Sequence, residues 1–107
     1  MVEMKPVHQP ENGPGAISVR FRLYVAGNMP NSRRAVANLR QFCIDHLAGR
    51  YTLEIVDVYE KPERALTDKV LLTPLLCAET LHGIRRIAGD LSDRASLIAA
   101  LDAENFG

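Results

Sequence analysis

The chain has 107 residues, 47% of them apolar, with 13 acidic and 13 basic side chains that leave a formal net charge of zero. Those numbers fit one small domain with a single core. They exclude the basic excess usual in nucleic-acid or membrane-surface proteins, and no apolar run approaches the ~20 residues needed to cross a bilayer.

The first stretch, MVEMKPVHQPENGPG, carries three prolines, two glycines and no apolar segment of the signal-peptide kind. Residues 1–17 are therefore read as a flexible tail, 18–104 as the folded domain and 105–107 as a C-terminal end. VRFRLYVAG (Val19 to Gly27) alternates Val19, Phe21, Leu23 and Val25 with Arg20, Arg22 and Tyr24, the period of a strand. Gly27-Asn28 turns the chain, and Asn31 is placed to cap a helix running to about Leu47. Ala35, Val36, Leu39, Phe42, Cys43 and Leu47 form its apolar stripe, and Gly49 stops it.

YTLEIVDV (Tyr51 to Val58) has apolar residues on both faces, which predicts a strand covered on both sides. Pro62 suits the first turn of a short helix in KPERALTDK. LLTPLLCAE is the next strand, with Pro74 at its start because proline cannot donate to a ladder. GIRRIAGD gives another strand, and Ser92 is placed to cap a last helix through about Asp102, with Leu97, Ile98 and Leu101 buried. Strand, helix, strand, helix, strand, strand, helix predicts a single α/β domain of thioredoxin-like βαβαββα order.

A redox protein of that order needs a low-pKa thiolate at a helix N-terminus and a second thiol to resolve it. The four positions at that turn are Asn28, Met29, Pro30 and Asn31. The two cysteines, Cys43 and Cys77, fall on an apolar stripe and a strand, where they read as small buried hydrophobes and reduced thiols of a cytoplasmic protein. A redox protein using one of them is the alternative reading. His8, His46 and His82 have no zinc-site spacing, and neither a nucleophile elbow nor a phosphate loop is present. Neither catalytic residues nor a cofactor are assigned, and a binding module remains. Arg33-Arg34 and Arg85-Arg86 are solvated pairs or contacts for an acidic protein surface.

Four segments in order, LYVAGNMPNSRRAVANL, YTLEIVDVYEKPERA, DKVLLTPLL and RRIAGDLSDRASLIAALD, resemble the KaiB family of bacterial clock proteins from about Phe21 to Asp102. The resemblance implies a thioredoxin-like form that binds the N-terminal ATPase ring of a KaiC-type protein. It further implies KaiA or a SasA-like histidine kinase as additional partners, and a second, fold-switched form that tetramerises. It marks Lys69, Arg34, Arg85 and Arg86 as partner-binding candidates and Pro74 as a candidate cis-proline. Two segments depart from the family pattern. Leu81-His82-Gly83 stands where clock members have a run of prolines, and Ala100-Leu101-Asp102 stands where they have Gly-Leu-Asp. Alanine favours helix over glycine by about 1 kcal/mol and is depleted from strands. Ala100 is therefore expected to bias the chain toward the thioredoxin-like form without a partner.

Overall fold

The computed structural model describes residues 19–101. The expected tail over 1–17, His8, Asp102 at the end of the last helix and the end segment 105–107 lie outside the described residues. The elements are β1 (Val19–Val25), α1 (Pro30–His46), β2 (Tyr51–Asp57), α2 (Pro62–Thr67), β3 (Leu75–Thr80), β4 (Gly83–Ala88) and α3 (Arg94–Ala100). They follow the expected βαβαββα order.

The four strands form one sheet in the order β2-β1-β3-β4. β1 and β2 run parallel with Val19 opposite Tyr51 and Val25 opposite Asp57, a pairing that requires the α1 crossover. β3 is antiparallel to both β1 and β4, so Cys77 faces Arg22 on one side and Arg86 on the other.

The alternation in β1 divides the interior in two. Val19, Phe21, Leu23 and Val25 pack with Ala35, Leu39, Phe42, Cys43 and Leu47 of the first helical segment and with Leu97 and Leu101. α1 and α3 thus share one face of the sheet. Tyr24 enters a smaller cluster on the other face with Val56, Leu75 and Cys77, lined further by Val58 and Val70 after β2 and α2. Each fully buried apolar side chain contributes about 1.5–3 kcal/mol relative to exposure, so the first cluster dominates stability.

Two local expectations are corrected. Asn31 does not cap α1: Pro30 is already its first residue, Met29 is the N-cap and no side chain caps it. Proline's fixed φ and missing N–H suit the first helical position, which moves the start one residue ahead of the asparagine. The buried Ser32 instead holds the entry, its Oγ accepting the Ala26 N–H at 3.0 Å. Ser92 does not cap α3 either. Asp93 does, accepting the Ser96 N–H, while the Ser92 N–H donates to Asp90 Oδ1 at 3.1 Å in the preceding turn. β2 is the edge strand of the sheet, and both its faces are covered in part as its apolar pattern predicts: Tyr51 and Leu53 pack against the first cluster and Val56 is buried in the second, while Ile55 is 36% exposed.

Candidate protein-docking surface

The turn after α2 is exposed and anchored from several sides. The helix ends at Thr67, Asp68 is its C-cap, and Lys69 adopts φ +55°, a left-handed conformation uncommon for a residue with a Cβ. Lys69 N–H donates to Leu66 O at 3.1 Å and Val70 N–H to Ala65 O at 2.9 Å, which closes the helix end.

The sheet grips this turn through Asp68. Its Oδ2 accepts from Arg22 Nη1 at 2.6 Å and from the Tyr24 hydroxyl in a very short hydrogen bond. Arg86 reaches across from β4, its Nη2 donating to Asp68 O at 2.8 Å and Lys69 O at 3.1 Å. A second pair braces α2 itself, where Arg64 donates both terminal nitrogens to Glu54 on β2 at 2.8 and 2.9 Å. Bidentate pairing of this kind fixes orientation as well as adding energy.

The charges respond accordingly. The Tyr24 hydroxyl hydrogen bond, supported by Arg22, holds the Asp68 carboxyl below its ordinary range. Burial, together with the Asp68 hydrogen bond, pushes the Tyr24 phenol up. The bond from Arg64 likewise lowers Glu54. A carboxyl with a depressed folded pKa adds stability above its unfolded value, near ~4, and that stability is lost as pH falls through the lower folded value. Urea midpoints are therefore expected to fall as pH drops from about 4 to about 2, and to fall less in Asp68→Asn, which cannot titrate. An equal fall in both proteins would remove Asp68 as a source of the acid dependence.

Around the turn, leucines stand in solvent. Leu66 is 78% and Leu71 89% exposed, and Leu72 is also exposed. Apolar residues gathered at one exposed segment mark an interaction site more often than scattered ones do. Lys69 is exposed among them, and its ammonium has no hydrogen bond or ion pair among the described residues.

The other candidates do not converge here. Arg34 lies in the first turns of α1, 3.4 Å from Asp90 Oδ2 and hydrogen-bonded to the Asn31 side chain. Arg85 is exposed on β4 with its neighbour in register Ala78, which puts it on the α1 and α3 face, opposite Arg86. The structure thus brings Lys69 and Arg86 together and leaves Arg34 and Arg85 elsewhere. Tyr24, Arg22 and Asp68 were missed in the sequence; the spacing of Tyr24 within β1 marked only a non-core face.

The turn before α1 meets the chain at Pro74. The Thr73–Pro74 peptide is cis. Met29, Asn31, Tyr59 and Pro74 border a shallow cleft of 380 Å³ there. No thiol lines it. Cys43 is fully buried in the first cluster and Cys77 in the second, on opposite faces of the sheet, so the two cannot be bridged. Burial pushes the Cys43 thiol up to about 12 and raises Cys77 as well, the reverse of what a redox nucleophile needs. Both thiols are expected to react with a thiol-directed reagent only after denaturation. One fast-reacting thiol in native protein would restore the redox reading.

Known proteins share this chain's sequence and fold. The KaiB domain family model matches residues 22–103. The circadian clock oscillator protein KaiB of Prochlorococcus marinus (strain MIT 9312) is 46% identical over 82 residues, covering 77% of this chain and 78% of that protein. Its counterpart in Synechococcus sp. (strain RCC307) is 46% identical over 82 residues, covering 77% and 74%. Among solved structures, the N-terminal domain of Synechococcus elongatus SasA superposes with a TM-score of 0.68 at 16% identity, covering 92% of this chain and 93% of that one. Mitochondrial thioredoxin 3 from Saccharomyces cerevisiae gives 0.66 at 14% identity, covering 81% and 79%. At those identities the structural likeness defines the fold, which is thioredoxin-like.

Proposed function

The chain belongs to the KaiB family, and from that premise we propose that it is a non-catalytic adaptor docking on the N-terminal ATPase ring of a KaiC-type protein. In this role it regulates circadian timing or a related signalling or stress output. The observation that carries the reading is the Lys69 turn: an ammonium without a partner among the described residues, held in a fixed backbone conformation among exposed leucines. That combination suits a partner surface with a carboxylate inside an apolar rim, where a desolvated charge pair gives register and apolar burial gives affinity. The burial of both thiols supports docking over redox chemistry. KaiA or a SasA-like histidine kinase is a second partner in this scheme, with Arg34 and Arg85 as the contacts left for it.

The test mixes purified protein with the KaiC-type ATPase of its own genome and ATP, followed by size-exclusion chromatography with light scattering, which also reads dimer or tetramer formation. Co-elution is expected, and Lys69→Ala is expected to weaken it by about tenfold, the equivalent of ~1.4 kcal/mol. An absence of co-elution at high concentration would mean that the partner has changed.

A further inference from the structure

We infer that Asp68 is the positioning residue for Lys69, acting on the partner through the lysine and not by direct contact. The inference rests on the docking role of Lys69 proposed above.

Three cations gather at this turn, Arg22, Arg86 and Lys69. Two of them face inward. Arg22 Nη1 bonds Asp68 Oδ2 at 2.6 Å, while its buried Nε has no hydrogen-bond partner and lies 3.7 Å from Glu54 Oε1. Arg86 holds the two successive carbonyls of Asp68 and Lys69. Asp68 N–H donates to Arg64 O at 3.1 Å, and the Tyr24 hydroxyl occupies the same carboxylate oxygen as Arg22. Asp68 is therefore held through its Oδ2, its N–H and its carbonyl by β1, α2 and β4.

The next residue pays no attention to its intrinsic preference. Lys69 has a Cβ and sits at φ +55°, a conformation that persists only where its surroundings over-determine it. The helix-end bonds from Lys69 N–H to Leu66 O and Val70 N–H to Ala65 O supply part of that determination, and the anchors on Asp68 with the Arg86 bond to Lys69 O fix the helix end on which they depend. The lysine side chain is exposed at this fixed backbone position, and no hydrogen bond or ion pair engages its ammonium among the described residues, whereas Arg22 is taken by the Asp68 carboxylate and Arg86 by two backbone carbonyls. A pre-organised charge loses less freedom on binding. Arg86, marked in the sequence as a contact, belongs with Asp68 in the positioning set.

The experiment is a double-mutant cycle read against the KaiC-type ATPase with ATP, using wild type, Lys69→Ala, Asp68→Asn and the double variant, with Asp68→Ala as a more severe second substitution. Alongside it, NMR of the free proteins reads the Lys69 φ from its intraresidue HN–Hα contact. Asp68→Asn is expected to weaken binding about tenfold when Lys69 is present and less than about twofold when it is absent. Lys69 is expected to lose its uniform positive φ in the Asp68 variants while the rest of the spectrum is retained. Equal losses in both backgrounds would make Asp68 a direct contact or a general stabiliser and overturn the inference. An unchanged Lys69 φ in the Asp68 variants would overturn it as well. If wild type itself fails to bind, the docking proposal fails, and the NMR comparison alone decides whether Asp68 sets the Lys69 conformation.

Discussion

Leu97→Ala is expected to lower folding stability by about 2–5 kcal/mol, the range for a fully buried leucine cut to alanine. The size follows from how α3 is held. The helix has seven residues, well below the length at which an isolated helix is stable. Asp93 caps it, which is worth about 1 kcal/mol. Arg94 ties it to Asp45 at 2.8 Å, a half-exposed pair of small value. Leu97 is the one buried residue within the helix, joined by Leu101 just beyond it, so the first core must supply most of the attachment. Ala100→Gly touches only helix preference and is expected to cost about 1 kcal/mol. Urea denaturation of the two variants measures both numbers. A cost below about 1 kcal/mol for Leu97→Ala would mean that α3 is held by something other than the core. The Ala100 bias has its own check: NMR of the free chain should give helical shifts over 94–100, and a strand at Leu97 to Leu101 would overturn it.

Periodicity located the elements because the dominant core is built from simple repeats. The alternation of Val19, Phe21, Leu23 and Val25 and the stripe of Leu39, Phe42, Cys43 and Leu47 are both local patterns, and both enter the same cluster. Helix starts were less legible. Asn31 and Ser92 have the right chemistry for a cap, but Pro30 and Asp93 compete at neighbouring positions, and the backbone path decides among them. The edge position of β2 was hidden for a different reason. Its apolar residues on both faces report the layers packed above and below it, whereas strand order is a property of the whole sheet, which no local pattern encodes. The candidate docking turn was legible as Lys69 by family resemblance alone. Its anchors come from β1, α2 and β4, with Tyr24 and Asp68 44 positions apart, and nothing in the spacing of those residues announces the contact.

Tyr24→Ala is expected to cost about 3–5 kcal/mol, the range for removing a fully buried aromatic ring. The loss should be distributed unevenly. Tyr24 belongs to the smaller cluster beneath α2, and its ring is the largest side chain there. Its hydroxyl also bonds Asp68 and, at 3.3 Å, Arg64 O within α2. Removing the ring empties the smaller cluster and frees the turn at one stroke, while Phe42, Leu39 and Leu97 on the other face keep their contacts. Tyr24→Phe separates the two effects. It keeps the ring and deletes the hydroxyl, for an expected cost of about 1–2 kcal/mol, since Asp68 retains Arg22 and is not fully buried. Hydrogen exchange distinguishes local from global loss. Amides of 62–70 should lose protection in both variants before those of α1 do, because regions with little buried apolar contact open first. If α1 and α2 lose protection together, the two clusters unfold as one unit, and the turn has no independent equilibrium through which its anchors could act on docking.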